Sequence, residues 1–201
     1  NIIIDNTKAI LDENSNEQVK FATTGSAVNE FTVTNAATSG SPALSVTGGD
    51  TNVDMTLTPK GTGRVTINGG GKIQQLAEKI TIAATGTTGT VNYDVITQAV
   101  LYHTTNAAGN FTVNIRGDGS TTLNNILDTN ESVTVAFLVT QGSTPYYNSA
   151  VTVDGSSITP EWQGGSAPTS GNASSIDVYT YTVIKTGDAA FTALASQTQF
   201  A

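Results

Sequence analysis

Four short segments in the first third of the chain place apolar side chains two residues apart, in alternation with Thr, Ser or a charged residue. They are Phe31 and Val33 in EFTVT, Leu44 and Val46 in ALSVT, Met55 and Leu57 in VDMTLT, and Val65 and Ile67 in RVTI. A period of two is that of a half-buried β-strand. Turn-forming sequences separate the segments: SGSP at 39–42, GGD at 48–50 and PKGTG at 59–63. Each strand offers about two apolar side chains. Burying one is worth roughly 1.5–3 kcal/mol, whereas ordering each residue costs roughly 1–2 kcal/mol of backbone entropy. A lone chain built of such rungs is marginal, and several copies wound about a shared axis pool their apolar faces. Residues 1–70 therefore read as an intertwined oligomeric β stalk, most simply a trimer, with a small two-sheet domain as the alternative.

Composition extends the β reading to the whole chain. Thr contributes 35 of the 201 residues and Gly 20. Thr is β-branched and suited to strands, while Gly and Asn supply the positive φ of tight turns. Gly69-Gly70-Gly71 closes the stalk, and KIQQLAEKI follows with Ile73, Leu76, Ala77 and Ile80 at helical spacing. That spacing predicts a short neck helix within 71–80, with a strand from Lys79 competing for its end. Residues 81–201 read as a separate head. Candidate strands are KITIA (79–83), TVNYD (90–94), QAVLYHT (98–104), NFTVNI (110–115), SVTVAFLVT (132–140), SAVTV (149–153), IDVYTYTVIKT (176–186) and AFTALAS (190–196). They predict a jelly-roll-like β-sandwich. Val133, Val135, Phe137 and Val139 mark one core face, and Val178 lies opposite Tyr179 and Tyr181.

The formal charge is −8, and most of it belongs to the head, where only Arg116 and Lys185 oppose eight acids. An acidic surface repels phosphate backbones, which argues against nucleic acid as a partner. No apolar run reaches the roughly 18 residues of a membrane span. The chain has no Cys, which removes disulfides and thiolate metal sites and fits assembly in a reducing cytoplasm. No leader is visible, and the opening Asn1 reads as the start of a fragment or processed product.

Chemistry-bearing patterns are sparse. His103 is the one histidine, too few for a typical zinc site. No G-x-S-x-G elbow occurs, and triads or paired carboxylates are recognised in space rather than by spacing. Asp50, Asn52 and Asp54 resemble half a calcium loop without its glycine and distal glutamate. PKGTG lacks the spacing of a phosphate loop. No catalytic residue, metal site or cofactor is assigned, and the chain reads as a non-enzyme. The candidate surface-binding residues are the aromatics Tyr146, Tyr147 and Trp162, set among Pro and Gly. Tyr and Trp on loops suit sugar stacking and protein contacts. The alternative for Trp162 is a structural plug beneath a long loop.

Residues 17–67, above all AVNEFTVTNA and DTNVDMTLTPKGTGRV, resemble a module that recurs in tail-fibre-like and other virion proteins of tailed bacteriophages, particularly phages of marine cyanobacteria. TQAVLYHTTNA, VAFLVTQGSTPYYNSAV, WQGGSAPTSGNASSIDVYTYTVIKTG and LASQTQFA resemble a terminal domain of such proteins. The resemblance implies a homotrimeric virion fibre or appendage, assembled in the host cytoplasm, with a β stalk and a distal β-sandwich head. Its partners would be further copies of itself, other virion proteins and a host-surface glycan. The alternatives are a capsid or neck decoration protein without receptor contact, or a glycan-binding module. The resemblance carries no catalytic residues.

Overall fold

The computed structural model describes residues 7–201; the first six stalk residues lie outside the described part. The described residues are all-β, apart from one short α-helix and a single 3-10 turn. It divides into two units, the first ending at Asn68 and the second spanning Gly69–Ala201.

The described residues of the first unit hold two separate hairpins. β1 (Ala9–Leu11) pairs antiparallel with β2 (Glu17–Lys20). Asp12 shapes the turn between them: its Oδ1 accepts from the backbone N–H groups of Asn14 (2.9 Å) and Asn16 (2.8 Å). These bonds hold its carboxyl below the usual range. β3 (Asn29–Thr34) pairs with β4 (Ala43–Gly48), setting Phe31 opposite Val46 and Val33 opposite Leu44. The apolar face so formed is open. Phe31 is 58% exposed, Val33 82% and Leu44 54%, and no residue from 7 to 68 is buried. A two-stranded hairpin without a covered face is marginal in water.

Two stalk expectations are corrected. VDMTLT and RVTI form no strand, and Met55, Leu57, Val65 and Ile67 are exposed. Their alternation is sound, but a strand needs a neighbour for its N–H and C=O groups, and one chain supplies none here. The neck helix is likewise absent: residues 72–79 are irregular and Ile80 opens a strand. Nine residues are too few to offset helix nucleation, and the end of the segment gains a full strand partner instead.

The second unit begins as a coil of strands alternating between two sheets. β5 (Ile80–Ala83), β7 (Val100–His103) and β9 (Ser132–Thr140) run parallel in one sheet. β6 (Gly89–Asp94), β8 (Phe111–Arg116) and β10 (Asn148–Val153) run parallel in the other. Each parallel crossover is thus a strand of the opposite sheet. Between β8 and β9 lies α1 (Leu123–Ile126), capped at its start by Thr122 Oγ1 and by the Asp154 carboxylate, which accepts from Leu123 N (2.7 Å) and Asn124 N (3.0 Å). β11 (Ser156–Ile158) returns antiparallel along β10 through an Asp154-Gly155 turn with both φ values positive, the hairpin chemistry of Asp-Gly. β12 (Glu161–Trp162), β13 (Ile176–Gly187) and β14 (Ala190–Phe200) complete the first sheet. The final orders are β12-β14-β13-β9-β7-β5 and β11-β10-β8-β6.

The two sheets form a sandwich, but the jelly-roll expectation is corrected in its winding. A jelly roll is built of antiparallel Greek keys, whereas β5 to β10 coil in parallel. Stacked rows follow from that register. Val91, Val113 and Val151 align across the inner face of the four-stranded sheet, as do Tyr93, Ile115 and Val153. On its outer face Asn92, Asn114 and Thr152 form a hydrogen-bonded ladder, with Asn114 Nδ2 donating to Asn92 Oδ1 (2.8 Å) and Thr152 Oγ1 donating to Asn114 Oδ1 (2.8 Å). Asp94 and Arg116 pair two residues further along, at 2.6 Å.

Aromatic side chains join the sheets. Phe111 of the smaller sheet meets Phe137 and Tyr179 of the larger one edge-on, at centroid distances of 5.6 and 5.7 Å. The buried side of β9 is Val135, Phe137 and Val139, with Val133 packed beside them. The aromatic side of β13, rather than Val178, faces the core: Tyr179, Tyr181 and Val183 are fully buried.

Candidate functional site

The three candidate aromatics occupy two different settings. Tyr146 and Tyr147 lie just before β10, both half-buried, and Tyr146 packs against the core. A buried polar node fixes their loop. Gln141 uses its whole amide on the Tyr146 backbone, accepting from Tyr146 N at 3.0 Å and donating to Tyr146 O at 2.6 Å. Gln141 Nε2 also donates to Asp177 Oδ2 at 2.9 Å. Asp177 is fully buried at the start of β13 and accepts further bonds from Asn172 N (3.1 Å) and Gln197 Nε2 (3.3 Å). Burial pushes its carboxyl above the usual range, and these donors pull back against that rise. Gly171 closes the node. A Cβ there would lie 2.7 Å from both Asp177 Oδ2 and Gln141 Nε2, and would also press on Tyr146 O. Tyr147 is held through its backbone, donating from its N–H to Asn110 Oδ1 at 3.2 Å. The node stretches across residues 141–197 and had no signature in the sequence.

Trp162 is on β12 rather than in a loop, paired with Ala195 of β14. The indole is half-buried and meets Tyr181 edge-on at 6.3 Å. It therefore carries part of the plug role and keeps part of its ring at the surface. Three clefts flank it. One of about 410 Å³ is lined by Glu161, Gln163, Thr180, Thr182 and Leu194. One of about 520 Å³ is lined by Gln163, Ser166, Pro168, Gln197 and Gln199. A narrower one of about 240 Å³ runs toward Ile158 and Pro160. Neither tyrosine lines any of the three, so the structure does not gather the three aromatics into one site. In the 520 Å³ cleft, which has no charged lining residue, the indole edge beside amides and hydroxyls can stack on and hydrogen-bond to an uncharged polar ligand.

The remaining sequence candidates have local partners. His103 is buried, with Nδ1 2.8 Å from Thr85 O and its ring edge-on to Phe137. The Asp50 carboxylate accepts from Asn29 Nδ2 at 2.8 Å, tying the 48–50 turn to β3. PKGTG forms a turn with Gly61 at φ 61° and Gly63 N donating to Lys60 O. Among the described residues, no group of three or more His, Asp or Glu is placed to hold a metal ion. Nor does any helix among them have the length and apolarity to cross a membrane. A buried charge outside the candidates has a structural role: Lys185 Nζ donates to Asn124 O (2.6 Å) and Leu127 O (2.8 Å), satisfying carbonyls at the end of α1.

No protein-family model, no curated protein and no solved structure matches this chain.

Proposed function

We propose that this chain is a structural subunit of a virus particle, three copies of which form a tail fibre or similar appendage. The observation that carries the reading is the contrast between the units. Among the described residues, all buried apolar side chains fall between Val91 and Ala195, whereas Phe31, Val33, Leu44, Leu57 and Ile67 are each more than half exposed. Alternating strands with an uncovered apolar face are half of a packed structure. Copies of the same chain supply the other half, pairing the segments that have no strand partner within one chain. The bacteriophage assignment rests on the resemblance of residues 17–67. In this reading the second unit is a head that needs no partner for its core. Trp162 and its clefts are the place where a neutral host-surface glycan would seat, and no catalysis is assigned.

Immunogold labelling of purified particles with an antibody to the second unit tests the assignment. Label on a projecting fibre or appendage is the expected outcome. Label on the capsid shell or neck would favour the decoration reading, and particles lacking the chain would overturn the virion assignment.

A further inference from the structure

We infer that the outer surface of β13 and β14 is an extended track for a linear, uncharged oligosaccharide several sugars long, with the Trp162 clefts at one end. The inference rests on the glycan reading above and names the form of its ligand: a chain laid along the strands rather than a single terminal sugar.

Register defines the track. Antiparallel pairing sets Leu194 beside Thr182, Ser196 beside Thr180, Thr198 beside Val178 and Phe200 beside Ile176. All turn outward, since the residues that alternate with them (Asp177, Tyr179, Tyr181, Ala193, Ala195) are buried. At a rise of about 3.3 Å per residue, the track from Leu194 to Phe200 is about 20 Å long. Clefts follow one another along it. The 410 Å³ cleft takes Thr180, Thr182, Leu194 and Ser196, and the 520 Å³ cleft takes Thr198. A further cleft of about 550 Å³ takes Ile176 and Phe200, with Asn106, Thr140 and Ser143. Each has the size of a small-ligand site, and the first two share Trp162 and Gln163. An aromatic residue stands toward each end. Trp162 pairs with Ala195, which places it about 17 Å from Phe200 along the strand. Phe200 is 55% exposed.

Three observations name the ligand. The first is polarity. The track mixes Thr and Ser with aliphatic side chains, which suits a sugar ring with its C–H faces and hydroxyl rim. Its hydroxyls are available: the side chains of Thr180, Ser196 and Thr198 make no hydrogen bond among the described residues, nor do those of Gln163 and Ser166. On the outer face of the smaller sheet, by contrast, Asn92, Asn114 and Thr152 bond one another and Asp94 pairs with Arg116. The second is charge. Glu161, at the margin of the 410 Å³ cleft, is the one charged side chain lining any of these three clefts. On a chain of net charge −8 its carboxylate turns away acidic sugars, while its oxygens accept from neutral hydroxyls. The third is length. One sugar ring cannot reach both Trp162 and Phe200, whereas a chain of them can stack on both. The backbone groups between β13 and β14 are spent on their own ladder, so over this face a peptide finds no main-chain partner.

Binding of the full chain to arrayed oligosaccharides tests the track. The probes are glucose, mannose, galactose and N-acetylglucosamine series, each from the monosaccharide to the hexasaccharide, with guluronate oligomers as the acidic comparison. In whichever neutral series binds, affinity should rise about tenfold or more from disaccharide to hexasaccharide, and the guluronate series should not bind. Phe200→Ala should weaken the hexasaccharide about fivefold and leave a disaccharide seated at Trp162 unchanged, whereas Trp162→Ala should weaken both. Phe200 is exposed at a strand end, and Trp162 fluorescence reports that its variant folds. Equal affinity for disaccharide and hexasaccharide, or a hexasaccharide indifferent to Phe200→Ala, would overturn the track and leave a glycan site at Trp162 standing. Binding confined to guluronate would overturn the uncharged ligand. A chain that binds no series would remove the track and the glycan reading together and leave the subunit assignment untouched.

Discussion

Phe111→Ala should lower the stability of the second unit by about 3–5 kcal/mol, the usual range for emptying a buried phenylalanine site. Phe111 is 1% exposed and is the smaller sheet's contribution to the aromatic contact with Phe137 and Tyr179. Truncation removes both edge-on contacts and leaves a void between sheets whose rows are fixed by parallel register, so the walls cannot close over it. Trp162 is the only tryptophan and packs on Tyr181 of the same core, so urea unfolding followed by its fluorescence reads this unit. With an m-value of about 2 kcal/mol/M the midpoint should fall by about 2 M. A shift below about 0.5 M would show that the aromatic contact between sheets is not what holds the sandwich together.

Asp177→Ala should have an effect of similar size, about 2–5 kcal/mol, by a different route. The substitution removes the acceptor of Asn172 N and one of the acceptors of Gln141 Nε2 and Gln197 Nε2, which keep Tyr146 O and the Tyr179 hydroxyl, and it empties a buried site. It also releases the clamp on Tyr146, so the loop carrying Tyr146 and Tyr147 should lose protection against amide exchange. The pH dependence has a defined sign. Desolvation raises the folded-state pKa of Asp177 above its ordinary 3.8, so between the two values the folded state binds more protons than the unfolded state. Stability from this group is then fully present below about pH 4 and is lost as pH rises through the folded-state pKa. The gap in stability between wild type and Asp177→Ala should be widest in acid and should narrow over that window. A gap that widens with rising pH would mean that the three donors outweigh burial and depress the pKa instead.

Much of the second unit was legible from alternation alone. The strand SVTVAFLVT occupies the predicted residues 132–140, with the predicted face buried. The other seven predicted head strands also appear, shifted by a few residues at their ends. What alternation does not encode is the partner. A strand with period two looks the same whether its neighbours run parallel or antiparallel, so the coil of β5 to β10 was invisible. The two-faced pattern of β13 was readable, but not which face turned inward; that was decided by Phe111 across the sandwich. Asp177 and Lys185 fall on that buried face too, although charges near strand ends are normally solvated. β11 left a readable signal, the Asp154-Gly155 pair after SAVTV, which the predicted strand ending at 153 did not use. The candidate aromatics were legible as residue types only. Their separation into a clamped tyrosine loop and a strand-borne tryptophan depends on Gln141, whose contact with Tyr146 carries no sequence signature, and on Gly171 and Tyr181, which are more distant in sequence. In the first unit, VDMTLT and RVTI alternate as strands but find no neighbour within one chain, which the sequence does not reveal, and helical spacing misled at KIQQLAEKI.

Sedimentation velocity of the full chain at micromolar concentration tests most directly whether this protein is built to be completed by its own copies. The expected result is one species of about three times the 20.6 kDa chain mass. A single sharp boundary at the mass of one chain, with Phe31, Val33 and Leu57 therefore left in water, would contradict it.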